Sequence, residues 1–431
     1  MSISARVAVA LQAREIHYGW VVVATTFLVM LATAGAMGAA GILIDPLQKE
    51  FGWTNAQIST ALSLRLVLFG LMGPFAAAFM TYFGVRQVVT VALLMIATGV
   101  ALSLFVTQVW HLLIVWGIVV GLGTGMTALV LGAIVATRWF EQKRGIVVGL
   151  LTASMATGQL IFLPILAAVS EKIGWRPALC IVVGALLVAL VVLRLFMRDK
   201  PADVGLVAYG SNAPLVASEA PRQGLGTMLL SPLRTLRDVS GSRTFWALFA
   251  AFFICGFSTN GLIQQHWISL CGDYGIAPTG AAGMLAIVGA FDLVGTLAAG
   301  WLSDRFDNRW LLFWFYSLRG LSLMYLPFSD FSILALSFFA VFYGLDWVAT
   351  VPPTVKLTAE RFGAEKAGLV FGWIFAGHQL GAASAAYLAG ASRTGLATYT
   401  PAIFAAGALC LVAAVLMIRL RQQPLQNLQP A

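Results

Sequence analysis

Four ionisable side chains stand inside stretches otherwise apolar enough to cross a bilayer: Arg65, Asp292, Arg319 and His378. Charged groups are costly in hydrocarbon and mark functional sites unless they are paired. At about 1.5 Å per residue, each falls ~14–18 Å from one end of its span. Transporters built from repeated helix bundles hold their cargo at that depth. Arg65 is the expected anion anchor, because a guanidinium keeps its charge at physiological pH and grips a carboxylate through two parallel hydrogen bonds. The alternative is a structural Arg held by a helix carbonyl or by Asp292. Asp292 is the candidate for carrying a coupled proton, the alternative being a fixed ion pair with Arg65 or Arg319. Arg319 is read as structural, forming an intramembrane ion pair with Asp346. His378 and Gln379, flanked by Gly377 and Gly381, are candidate substrate-binding residues, since imidazole donates, accepts or takes up a proton. The other reading of His378 is a helix histidine satisfied within the packing. Gln159 in the fifth apolar run joins the substrate-binding set, whereas Gln264, Gln265 and His266 are placed near a solvated outer mouth.

The elements that must position these groups follow from composition. In 431 residues, 60% are hydrophobic, 10% are charged and the mean hydropathy is +0.90. Soluble domains carry about 25% charge, so a soluble enzyme, a disordered chain and a secreted disulfide scaffold are excluded. Apolar runs fall near 20–43, 56–79, 87–105, 111–136, 145–168 and 176–196. A second set of six falls near 243–267, 281–302, 310–328, 331–351, 366–390 and 400–419. Runs of this length in lipid are helices, since only helices and closed barrels satisfy their own backbone. The expected fold is an all-α polytopic membrane protein: twelve transmembrane helices in two six-helix bundles related by a pseudo-two-fold axis. The expected boundaries are 1–196 for the first bundle, 197–242 for a cytoplasmic linker and 243–431 for the second.

Sliding the chain by 223 residues superposes Arg86 on Arg309, Arg138 on Arg361, Lys143 on Lys366 and Gly149 on Gly372, which points to a duplicated unit. With the N-terminus inside, only Lys49, Lys172, Arg176 and Arg393 fall in external loops, against twenty Lys and Arg on the other side. That asymmetry places both termini in the cytoplasm. The net charge of +9 is therefore read as a topology signal and not as a nucleic-acid site. No cleavable leader is read in the first twenty residues, and the four cysteines are read as small apolar core residues. Within the linker, residues 227–238 read either as an interfacial segment with Arg234 and Arg237 toward headgroups or as a plain tether. Gly117, Gly121 and Gly125, and likewise Gly377, Gly381 and Ala385, recur every fourth residue and are read as close helix packing.

Gly300-Trp301-Leu302-Ser303-Asp304-Arg305, with Arg309, resembles the G-x-x-x-D-R-x-x-x-R loop of the major facilitator superfamily. The equivalent first-half loop keeps Gly84 and Arg86 but lacks the Asp-Arg pair. Three further stretches resemble bacterial relatives of monocarboxylate and oxalate/formate transporters: His17-Tyr18-Gly19-Trp20, Arg138-Trp139-Phe140, and Arg198-Asp199-Lys200-Pro201 with Tyr209-Gly210. Independently of that resemblance, a carboxylate and guanidinium in the loop of Gly300, Asp304, Arg305 and Arg309 read as a gating latch that charge-pairs with a neighbouring helix in one conformation, the alternative being a solvated turn that sets topology. Monocarboxylate transporters pair the span-8 Asp with an Arg one turn later; here that position is Thr296, which moves the anchor role to Arg65.

The function expected from these residues is secondary active transport of a small organic anion, monocarboxylate-like and proton-coupled, by alternating access across a bacterial inner membrane. The alternative is a drug or metabolite exporter, although 149–164 lacks the G-P-x-x-G-G stretch usual in proton-driven exporters. No catalytic, metal-binding or nucleotide motif is present, so no enzyme activity, cofactor or metal is expected. The expected partners are the anion, protons and the bilayer, with the chain acting as a monomer and binding no nucleic acid.

Overall fold

The computed structural model describes residues 3–127, 129–211, 224–303 and 305–420. Among them, after a short helix Ile3–Gln12, six long helices form a first set: spans 1 to 6 are Gly19–Phe51, Asn55–Phe83, Val85–Phe105, Val109–Trp139, Arg144–Ile173 and Trp175–Phe196. A linker helix, Leu225–Val239, precedes a second set. Spans 7 to 12 are Arg243–Asp273, Pro278–Ser303, Asn308–Tyr325, Ile333–Phe362, Ala364–Leu396 and Thr400–Ile418. Ten of the twelve are individually long and apolar enough to cross a membrane; spans 9 and 11, which carry Arg309, Arg319, His378 and Arg393, complete the count. The chain is a multi-pass membrane protein of two six-helix bundles. Because the number of crossings is even, both ends of the bundle sequence lie on one side, here the terminal face; the opposite side is the far face.

Local chemistry sets where the helices begin. Thr54 and Gln57 form a reciprocal capping box (2.8 and 3.2 Å) that starts span 2 and fixes the register carrying Arg65. Ser242 and Ser332 cap spans 7 and 10 through Phe245 N and Ala335 N. The glycine stripes serve packing: a Cβ on Gly121 would sit 3.1 Å from the Cα and carbonyl oxygen of Arg65, so span 4 rides directly on the span-2 backbone. Gly377 and Gly381 press against Phe249 and the Phe253 backbone of span 7 in the same way.

At the far face the halves are joined by side chains. Ser269 Oγ (span 7) donates to Asp45 Oδ1 (span 1) at 2.6 Å, Asn55 Nδ2 (span 2) donates to Tyr399 OH at 2.9 Å, and Ala56 N donates to Thr394 Oγ1 (span 11) at 3.1 Å. A cavity of about 710 Å³ opens outside this clasp, between Trp53, Asp273, Ile276 and Arg393. It contains none of the residues anticipated as site residues.

The repeat is visible in the contacts. Arg86 Nη2 donates to the Arg194 carbonyl near the end of span 6 (2.5 Å), and Arg309 Nη1 donates to the Leu420 carbonyl past the end of span 12 (2.6 Å). Each Arg also begins a helix whose N-terminal N–H is taken by a carboxylate: Asp199 Oδ1 accepts from Arg86 N (2.8 Å) and Asp307 Oδ1 from Arg309 N (2.9 Å). The first half thus obtains from beyond span 6 the acidic group its own loop lacks. Gly84 leaves room for it, with φ +86° and a would-be Cβ 2.7 Å from Asp199 Oδ2. Asp199→Ala, measured by thermal unfolding in detergent, is expected to cost about 1 kcal/mol, the usual worth of a helix cap.

The three stretches that resemble monocarboxylate-transporter relatives fold into one buckle on the terminal face. His17 Nε2 meets the Val207 carbonyl (2.9 Å), Tyr209 N donates to the Trp139 carbonyl (2.8 Å), and the His17 and Tyr209 rings meet edge to face.

Candidate functional site

Arg65 lies in span 2 between the two halves and is 1% exposed. Its Nη2 reaches Gln265 Oε1 of span 7 at 3.5 Å, the outer limit of a hydrogen bond, and its Nε has no partner among the described residues. No carboxylate pairs with it among the described residues. Both helices that meet it widen into π-turns just before the contact, Leu113–Val120 ahead of Gly121 and Phe257–Ile263 ahead of Gln265. Such widened turns are frequent at functional sites.

One turn beyond Arg65, Phe69 joins Met37, Met155 and Phe375 in an apolar cluster drawn from spans 1, 2, 5 and 11. The Phe375 ring stacks on His378 (5.7 Å, 9°), and Gln379 lies under Gly70 with its Oε1 unpartnered among the described residues. His378 Nδ1 and Gln379 Nε2 are 3.2 Å apart. Gln159 belongs to a stretch of span 5 whose neighbours Gly158 and Leu160 touch span 1 and Gly289 of span 8; its own side chain lies outside the described residues.

Asp292 is not part of this group. It sits where span 8 crosses span 10, its Oδ1 accepting from Thr296 Oγ1 and Val348 N, both at 3.0 Å. Span 10 breaks there, at Trp347–Thr350, and the Asp292 carboxylate takes up a backbone N–H freed by the break. Neither Arg65 nor Arg319 forms an ion pair with it among the described residues. Arg319 instead fills the other side of the break: Nε donates to Asp346 Oδ2 at 2.8 Å, Nη2 to the carbonyls of Asp346 and Trp347, and Nη1 to Cys255 Sγ at 2.9 Å. Cys255, expected to be a plain apolar residue, also meets Thr350 Oγ1 (3.3 Å), and the next residue, Gly256, packs against the backbone carbonyl of His378. His378 therefore stands between the Arg65 group and the second-half cluster.

Two expectations change. Gln264, Gln265 and His266 are buried rather than solvated, because span 7 continues six residues past its apolar run and draws them inward. Gln265 is thus the site residue that reading by hydropathy missed. Span 10 likewise runs to Phe362, so Asp346 lies ~20 Å from its far end, near the midplane, instead of near the terminal face.

In the loop after span 8, Arg305 Nη1 donates to the Trp301 carbonyl (3.2 Å) and the guanidinium covers the Trp301 ring at 4.1 Å. Arg309 holds Asp307 with two hydrogen bonds of 3.1 and 2.6 Å, a Cβ on Gly300 would meet no described atom within 4 Å, and Asp304 lies outside the described residues.

Residues 25–270 and 267–430 each match the Major Facilitator Superfamily. The chain belongs to that superfamily. Among superfamily relatives, an uncharacterized MFS-type transporter of Bacillus subtilis is 24% identical over 86% of this chain and 87% of its own. Monocarboxylate transporter 13 of Rattus norvegicus is 26% identical over 94% and 89%. The xylose transporter XylE from E. coli, in a partially occluded inward-open conformation, superposes with a TM-score of 0.71 over 94% of this chain and all of its own, at 12% identity. A D-xylose-proton symporter does so with 0.72 over 93% and 98%, at 13%. These structural matches define the twelve-helix fold, and the superfamily identifies the chain as a transport protein and not an enzyme.

Proposed function

We propose that this transporter moves a small, monocarboxylate-like organic anion together with a proton by alternating access. Residues 1–196 and 243–431 act as the two rocking bodies, tethered by 197–242. In this reading the terminal face is cytoplasmic and the membrane is a bacterial inner membrane. The observation that carries the proposal is Arg65: a buried cation, placed between the halves, with a single long hydrogen bond to an amide and no acidic partner among the described residues. A folded protein leaves such a charge uncompensated only where a ligand supplies the counter-charge in its working cycle. The name of the rat relative is consistent with a carboxylate as that ligand.

Charge bookkeeping gives the coupling. Empty, the midplane holds one cation, Arg65, and one carboxylate, Asp292, with Arg319 and Asp346 cancelling each other. One anion docked on Arg65 and one proton on Asp292 leave the sum at zero. An anion alone would add a net charge to the moving site, which is costly in low dielectric. Binding would exchange the long Arg65–Gln265 contact for a two-fold carboxylate grip, with His378, Gln379 and Gln159 as the surrounding polar groups. The loop of Gly300, Asp304, Arg305 and Arg309 would gate the terminal face.

A panel of monocarboxylates, dicarboxylates, aromatic acids and neutral sugars, scored by thermal unfolding, tests the substrate class. At a hundred times its dissociation constant, a true ligand stabilises by about 2.7 kcal/mol. At least one monocarboxylate is expected to raise the midpoint of the native chain and to lose that effect in Arg65→Ala. Stabilisation by a sugar and by no carboxylate would refute the assignment.

A further inference from the structure

The linker helix Leu225–Val239 lies across the seam between the halves, packed against span 2 of the first and span 11 of the second. Two indoles hold its backbone. Trp373 Nε1 of span 11 donates to the Pro232 carbonyl (2.8 Å), and Trp246 Nε1 at the start of span 7 donates to the Ser240 carbonyl (2.7 Å). Trp246 is itself 50% exposed on the outside of the bundle, at the end of a span, the level at which tryptophans mark the boundary between hydrocarbon and headgroups. The helix is therefore held at the height of the headgroups.

Its two faces differ. Pro232, Leu236 and Val239 turn inward, whereas Leu230 (46% exposed), Leu233 (45%), Arg234 and Arg237 point away from the protein. In water, two leucines on an outward face would be a liability; at a headgroup boundary they insert beside the acyl chains while the arginines remain at phosphate depth. The one acidic residue of the helix, Asp238, is turned to Lys366 of span 11 at 3.6 Å, and Arg234 and Arg237 form no ion pair among the described residues.

We propose that this face is a docking surface for anionic phospholipid headgroups at the terminal-face leaflet, and that lipid bound there steadies the seam between the two halves. The helix grips one span of each half, so a lipid that holds it against both favours the arrangement in which spans 2 and 11 are joined at that level.

The test uses the full chain in nanodiscs of phosphatidylcholine with or without phosphatidylglycerol. Cys180 is exposed and Cys255, Cys271 and Cys410 are buried, so Cys180→Ser with Leu230→Cys presents a single reactive thiol for an environment-sensitive fluorophore. Brominated phosphatidylglycerol is expected to quench this label about twofold more strongly than brominated phosphatidylcholine, a preference that high salt abolishes. In R234Q/R237Q the preference disappears. A parallel arm follows unfolding: phosphatidylglycerol raises the midpoint of the native chain and not that of R234Q/R237Q. A label in water that neither lipid quenches, equal quenching by both lipids, or an unfolding response that survives removal of both arginines would each overturn the proposal. Saturation of the effect by soluble inorganic phosphate would also overturn it, by showing an anion site that needs no membrane. Neither arm depends on the transported substrate, so the result stands apart from the role given to Arg65.

Discussion

Arg65→Ala is expected to abolish uptake of whichever anion stabilises the native protein, while leaving membrane yield and unfolding temperature unchanged or raised. Truncating one member of a buried charge pair costs about 2–5 kcal/mol, a factor of roughly thirty to several thousand in affinity. The pair in question exists only when cargo is bound, so the loss falls on transport and not on folding. Arg319 supplies the internal control. Its guanidinium is fully engaged by Asp346, Trp347 and Cys255, and deleting it strands the Asp346 carboxylate. Arg319→Ala is expected to lower yield, because an uncompensated buried charge costs about 3–5 kcal/mol. Normal uptake by Arg65→Ala in reconstituted vesicles removes the anchor role outright.

Asp292→Asn is expected to separate exchange from accumulation. The amide cannot take up a proton, so the empty midplane carries one net positive charge and the anion-loaded midplane none. Loaded carriers still cross in both directions, and counterflow of labelled anion persists. The unloaded return becomes the costly step, and uptake driven by an imposed pH gradient falls to the rate seen without one. The substitution keeps the size of the side chain, and an amide oxygen can still accept from Val348 N and Thr296 Oγ1, so the break in span 10 is preserved. Uptake that continues to follow the pH gradient in Asp292→Asn assigns the proton to another group.

The fold was legible from the chain because its signal is redundant. Twelve apolar runs, a duplication offset of 223 residues and glycines at every fourth position all describe the same bundle pair, and errors in any one leave the others standing. Apart from the Arg319–Asp346 pair, the candidate site was legible only on one side of each contact. A charge inside an apolar run is conspicuous, and Arg65, Asp292, Arg319 and His378 could be singled out for that reason. Asp346 could be named beside Arg319; the other partners could not. Gln265 lies 200 residues from Arg65, Cys255 lies 64 from Arg319, and Asp199 lies 113 from Arg86. Gln265 was also misplaced, because the apolar run ends two residues beyond it, at 267, whereas the helix continues to Asp273. Span 10 shows the same effect more strongly: its terminal half, Val351–Phe362, is polar enough to end the apolar run, yet Lys356 is held against span 8 by the Ser303 carbonyl (2.8 Å) and the helix continues.

The break in span 10 has one more consequence. Where a helix is interrupted inside a membrane, freed carbonyls commonly attract a metal cation. Here the position is taken by a cation that is covalently part of the chain, contributed by span 9 and tied also to span 7. Three helices and an interruption are thereby cross-linked through a single guanidinium, and the energetic effects of altering Arg319, Asp346 and Cys255 cannot add independently. The second bundle consequently resists being bent at its weakest point. In the proposed rocking cycle it would turn as a rigid block, and the compliance that cycle needs would come from the joint between the bundles.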